Sequence, residues 1–256
     1  MVATVNGGRV PIRMWAEPNE VDSEVLRQLK SVAALPWVAH HVAVMPDVHA
    51  GKGATVGSVI AMRGAVCPAA VGVDIGCGMA AVKTSLTADH LPESLKNLRD
   101  DVEAAIPVGR GRHARAAWGA LGAGMAERCS THLDGVRELR AGMDRLEATA
   151  VEQVGTLGGG NHFIELCVDT ENSAWLMLHS GSRRIGAALA EHHISIAQKL
   201  GHNQALVDRD LAVFLSNTPE FQAYRHDLMW AQDYARLNRD VMLALYMRVM
   251  RRHFPG

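Results

Sequence analysis

The chain has 256 residues, 48% of them hydrophobic, and sets 26 Lys and Arg against 27 Asp and Glu for a formal charge of −1. That is enough apolar material for a sizeable core, expected here as one incomplete domain over residues 1–256, and the near-neutral balance excludes a uniformly basic nucleic-acid binder. Cys67, Cys77, Cys129 and Cys167 show no disulfide-framework spacing, no apolar leader precedes Asn6-Gly7-Gly8-Arg9, and no apolar run nears the ~20 residues that span a bilayer, so a reduced cytoplasmic protein without membrane contact is expected.

In chain order, Asp22 or Ser23 can cap a helix running to about Ala34, which Pro36 stops. Strand-like runs follow at Val42–Met45, Val56–Met62, Val71–Ile75 and Ala80–Leu86. Leu91, Leu95, Leu98, Val102 and Ile106 recur at helical spacing after Thr87, and Pro107 closes that stretch. The glycine-broken basic loop Arg110-Gly111-Arg112-His113-Ala114-Arg115 is the best local patch for a nucleic-acid backbone; a solvated surface loop is the competing reading. Phe163–Val168 and Trp175–Leu178 read as strands, Ala187–Leu200 as a helix with Gly201 as its C-cap choice. Pro219 starts a long helical run through Phe221, Tyr224, Leu228, Val241 and Leu245, apolar almost all round at Val241–Met247 and so expected to be buried on several sides. The interleaving predicts an α+β architecture, mixed sheets with surrounding helices.

The most informative stretch is Val71-Gly72-Val73-Asp74-Ile75-Gly76-Cys77-Gly78-Met79. In an unbroken strand Asp74 and Cys77 would face opposite ways, but Gly76 and Gly78 can turn the chain and bring both side chains to one ion or ion pair. Carboxylate with thiolate suits a borderline divalent metal such as Mn or Zn, and a buried structural cysteine is the competing reading. Two later blocks add imidazole: the glycine run Gly155 to Gly160 feeds Asn161-His162-Phe163-Ile164-Glu165, and Trp175–Leu178 ends in His179-Ser180-Gly181-Ser182-Arg183. A lone histidine beside a strand is usually a satisfied polar residue; two at strand ends, with Asp and Cys at a third, are harder to read so.

Other motifs fail. Gly51-Lys52-Gly53 has Pro46 where a phosphate loop needs glycine and no Ser or Thr after Lys52. Gly76-Cys77-Gly78-Met79-Ala80-Ala81 is followed by a strand-like run where a dinucleotide fold needs a helix. There is no close Cys pair, no His-Glu-x-x-His and no Gly-x-Ser-x-Gly, so Ser180 and Ser182 are expected to hold a turn or cap the helix near Ala187.

Five blocks together resemble the RtcB RNA ligases: Met45 to Gly53, Pro68 to Met79, Gly155 to Glu165, Leu178 to Arg183, and Leu237-Asn238-Arg239-Asp240. The resemblance implies a ligase that joins RNA 3′-phosphate or 2′,3′-cyclic phosphate ends to 5′-hydroxyl ends with GTP and manganese, in tRNA splicing or RNA repair. It implies two Mn²⁺ ions, with Asp74 on one, Cys77 bridging both, and His162 and His179 each holding one. It also implies Asn161 toward phosphate, Glu165 at the guanine edge and Asp47, in the nucleotide-binding set, as an orienting residue near the nucleotide-carrying histidine. Arg110, Arg112, Arg115 and Arg183 are the expected RNA contacts, with tRNA halves or broken RNA as partner. The family's third metal-binding histidine and its GMP-carrying histidine lie beyond Pro255-Gly256, so no catalytic nucleophile is expected in these residues. The alternative is a catalytically silent metal- and RNA-binding fragment, or a residual metal-dependent phosphoesterase working through activated water. The same comparison predicts an exposed C-terminal helix and self-association through it.

Overall fold

The computed structural model describes residues 1–255. It comprises two units, Met1–Val73 with Ala190–Arg225, and Asp74–Leu189 with the chain from His226 onward. Its elements are β1 (Ala3–Val5), β2 (Ile12–Met14), α1 (Ser23–Ala33), β3 (Val38–His49), β4 (Val56–Met62), β5 (Ala65–Val66), α2 (Pro68–Val71), β6 (Gly78–Thr87), α3 (Lys96–Ala105), α4 (Ala123–Asp134), α5 (Glu147–Gln153), β7 (Phe163–Val168), β8 (Ser173–Ser180), α6 (Arg183–Ala197), β9 (Phe214–Leu215) and α7 (Pro219–His253). No helix among the described residues is long and apolar enough to cross a membrane.

In the first unit, Val25, Leu29 and Val32 fall on one face of α1 at helical spacing and are buried with Ile12, Met14, Val42 and Val44 of the sheet β1-β2-β3-β4. β2 runs parallel to β3, whereas β1–β2 and β3–β4 are antiparallel. Asp22 is the N-cap residue of α1, but its side chain makes no capping hydrogen bond. α6 stops at Ala197, whose carbonyl accepts from the buried Asn203 amide at 2.8 Å, so Gly201 is not its cap and opens a short 3₁₀ turn instead.

The expected strand Val71–Ile75 does not form. Pro68 starts a single helical turn, for which its fixed φ suits the first position, and Gly72 at φ +96° breaks it. The alternation of apolar residues does not track burial: Ile75 is 1% exposed, whereas Val71 stays at 40%.

In the second unit β8 lies between β6 and β7, antiparallel to both. Ala174, Leu176, Leu178 and Ser180 of β8 are buried, and the alternate residues Trp175, Met177 and His179 face the other way, as strand periodicity requires. α3 begins only at Lys96, because Pro92 follows Leu91 and disfavours helical backbone there. The part of α7 in this unit buries Val241, Met242, Leu245, Tyr246, Val249 and Met250. The exposed helix expected to drive self-association is therefore absent: Val241 and Leu245 press on Gly155, and Tyr246 joins Leu98, Ile106, Leu157 and Ile164 around one apolar hollow. The all-round apolar pattern is covered by the chain's own elements.

Candidate metal centre

Asp74 and Cys77 converge because the chain turns tightly between them: the Cys77 amide donates to the Asp74 carbonyl at 3.2 Å, and Gly76 takes φ +70°. Gly78 keeps an ordinary φ and starts β6. Strand register then brings in the histidines, since Phe163 of β7 and Met79 of β6 both pair with His179 of β8, and His162 immediately precedes β7. Cys77 Sγ lies 3.4 Å from His162 Nε2 and 3.0 Å from His179 Nε2, and His162 Nε2 lies 2.7 Å from Asp74 Oδ2. Ligand atoms of Asp74, Cys77 and His162 all fall within 4.8 Å of one another. His179 touches that group through Cys77, so the thiol sulfur is the atom common to both halves of the cluster.

The protons can be placed from the partners. A carbonyl only accepts, so His162 Nδ1, 2.7 Å from Leu157 O, carries a hydrogen. Its Nε2 then needs a second proton to meet the Asp74 carboxylate, and the hydrogen bond to Asp74 raises the His162 pKa accordingly. Burial opposes ionisation of Asp74, but hydrogen bonds from His162 and Cys77 outweigh it and hold the carboxyl below its ordinary value. Burial, reinforced by the nearby Asp74 carboxylate, pushes the Cys77 thiol up to about 12. Burial and the charge of His162 lower His179, which favours a neutral imidazole 3.0 Å from the thiol sulfur. Two protons thus sit on a carboxylate–thiol–imidazole set, and a divalent cation held by such donors would displace them, leaving thiolate and neutral imidazole. Hard oxygen, soft sulfur and imidazole nitrogen suit manganese or zinc, so the donors fit the expected ions.

Two glycines make room for this arrangement. A Cβ on Gly181 would collide with both carboxylate oxygens of Asp74, whose Oδ1 already accepts the Ser182 amide at 3.2 Å. A Cβ on Gly158, at φ +98°, would strike the Arg183 guanidinium and His162. Gly181→Ala is expected to weaken Mn²⁺ binding by about 10- to 100-fold in calorimetry, the cost of displacing a ligand's support, with native far-ultraviolet circular dichroism. Unchanged affinity would show that the Asp74 position does not matter to the ion.

Among the other expected residues, Asn161 is exposed in the turn before β7. Glu165 is exposed and pairs with Met177, two residues along from the Phe163–His179 pair, so Glu165 and His179 stand on the same face of the sheet. Asp47 is exposed on β3 of the first unit. Arg183 donates to Thr156 Oγ1 at 3.0 Å and to Gly109 O at 2.7 Å, and Gly109 N donates to Gly158 O at 2.6 Å. Those bonds pin the basic loop beside the glycine run that leads to His162. Within the loop Arg112 pairs with Glu152 at 3.2 Å, an exposed pair worth at most about 1 kcal/mol, while Arg110 and Arg115 are exposed. The Leu157 carbonyl, Gly181 and the Asn238-Arg239 pair were missing from the expected site. Only the last two had a signal in the sequence, the His-Ser-Gly-Ser and Leu-Asn-Arg-Asp blocks.

The family model described as tRNA-splicing ligase RtcB matches residues 28–256. The chain is 44% identical over 248 residues to the RNA-splicing ligase RtcB of Escherichia coli (strain K12), covering 91% of this chain and 59% of that protein. It is 30% identical over 277 residues to the tRNA-splicing ligase RtcB of Thermococcus kodakarensis and 29% over 281 residues to that of Aeropyrum pernix, each match covering 91% of this chain and 58% of the relative. The chain therefore spans less than two thirds of the length of these relatives.

Proposed function

This chain belongs to the tRNA-splicing ligase RtcB family, and from that premise we propose that it supplies the metal- and nucleotide-binding part of an RNA ligase joining 3′-phosphate or 2′,3′-cyclic phosphate ends to 5′-hydroxyl ends. Manganese and GTP are the cofactors in this reading, and cytoplasmic tRNA halves or broken RNA the substrate. The carrying observation is the contact of one thiol sulfur, that of Cys77, with two imidazoles and a neighbouring carboxylate. Asp74, Cys77 and His162 would hold one ion, and Cys77 with His179 the other. Bound there, the cations would supply Lewis-acid polarisation of phosphoryl oxygens and neutralise charge on them.

The remaining roles belong to side chains around the cluster. The Asn161 amide donates to phosphate, and the Glu165 carboxylate accepts the two N–H groups of a guanine edge, which adenine lacks. Arg110, Arg112, Arg115 and Arg183 neutralise the RNA backbone, the last from a position already fixed by Thr156 and Gly109.

Equilibrium dialysis with Mn²⁺ tests this reading. The chain is expected to favour GTP over ATP, and Glu165→Ala to lose that preference at a cost of about 1.5–3 kcal/mol, the worth of hydrogen bonds to a charged acceptor. Nucleotide binding that ignores both Mn²⁺ and the Glu165 substitution would contradict it.

A further inference from the structure

Asn238 and Arg239 are neighbours on α7, well removed in sequence from every expected ligand, and neither has a place in the roles assigned above. Asn238 is fully buried. Its Oδ1 accepts the backbone amides of Gly155 at 2.7 Å and Thr156 at 3.2 Å. Its Nδ2 reaches Thr156 O at 3.1 Å, Ser180 Oγ at 3.2 Å and Gly181 O at 3.2 Å. Ser180 Oγ in turn donates to Leu157 O at 2.7 Å, the carbonyl that receives His162 Nδ1. One buried amide thus joins the segment that carries His162 to the segment that carries His179 and Gly181.

Arg239 makes the complementary tie. Its Nη1 donates to Gly76 O at 2.6 Å and to Ser180 O at 2.9 Å, the carbonyls next to Cys77 and next to His179. The guanidinium lies against Gly78, where a Cβ would come within 3.6 Å of its central carbon. A planar fork with hydrogens fixed in direction can hold two carbonyls at a set separation, which a flexible ammonium does less well.

We infer that Asn238 and Arg239 are positioning residues for the metal centre: together they cross-tie the Asp74–Cys77 turn, the His162 loop and the His179 strand end, and so set the spacing of the ligand atoms. This rests on the metal reading above. Outer groups that hold metal ligands typically control affinity by about 10- to 100-fold.

The test uses Co²⁺, whose thiolate charge-transfer band reports sulfur ligation and whose visible bands report coordination geometry. Wild type, Arg239→Gln and Arg239→Lys are titrated at a temperature where circular dichroism shows all three folded; Asn238→Asp is added if it folds. Arg239→Gln is expected to bind Co²⁺ about 10- to 100-fold more weakly with altered visible bands, and Arg239→Lys to fall between it and wild type. A purely structural role would lower the melting temperature of Arg239→Gln and leave affinity and spectrum as in wild type, which would overturn the inference. Absence of a thiolate band in the wild type would instead overturn the metal centre itself, and the positioning role with it.

Discussion

Cys77→Ala is expected to weaken Mn²⁺ binding by more than about 100-fold, exceeding the loss typical of supporting residues. The sulfur lies 3.4 Å from one imidazole Nε2 and 3.0 Å from the other, so its removal parts His179 from the Asp74–His162 pair and leaves each side with fewer donors. Isothermal titration of wild type and variant is the measurement. Folding should survive, since Cys77 is only partly buried and its removal opens little apolar volume. Equal affinities would mean that manganese, if bound, sits elsewhere.

The second large effect is on pH. The Cys77 thiol, pushed up to about 12 by burial and Asp74, stays protonated across the neutral range, and His162 holds its proton above the ordinary imidazole value through Asp74. A metal ion must displace these protons, so affinity rises with pH by about tenfold per unit for each proton released. Below the His162 pKa two protons leave and the logarithmic slope is about two; above it only the thiol proton leaves and the slope is about one. In Cys77→Ala each slope should fall by about one.

The metal-free protein behaves in the opposite sense. His162, raised on folding, contributes stability that is present below its unfolded pKa and lost as pH rises through its folded pKa; Asp74, depressed, contributes stability present above its unfolded pKa and lost as pH falls through its folded pKa. The pair thus stabilises the metal-free fold between those two folded-state titrations, while metal binding gains at the alkaline side. Titrations in buffers of different ionisation enthalpy count the protons, and a pH-independent affinity would contradict this proton placement.

Much of this was legible in the sequence because it is local. Val56–Met62 and Phe163–Val168 have the alternation and flanking turns that define a strand, and both form with those bounds. Glycine beside Asp74 and Cys77 announced a turn that only Gly76 needed to make. What was hidden depends on distant packing. Val71–Ile75 alternates like a strand, yet Val71 closes the helical turn begun at Pro68 and Gly72 takes φ +96°, outside the strand range. The apolar girdle of α7 shows that something covers it, but not that the same chain does so, with Gly155 against Val241 and Leu245. The Leu157 carbonyl that fixes the His162 ring has no sequence signature at all, since any residue there would offer the same oxygen. Asn238 and Arg239 stood in a recognisable block, but their work is defined by carbonyls and amides far away in sequence.

Anomalous diffraction at the manganese edge, from crystals of the chain grown with Mn²⁺, tests the central claim most directly. The strongest anomalous peak is expected in contact with Cys77 Sγ, bounded by Asp74 and His162, and any second peak on the His179 side of the same sulfur. Saturating Mn²⁺ with no peak touching Cys77, or a peak held by other side chains while the thiol keeps its proton, would contradict it.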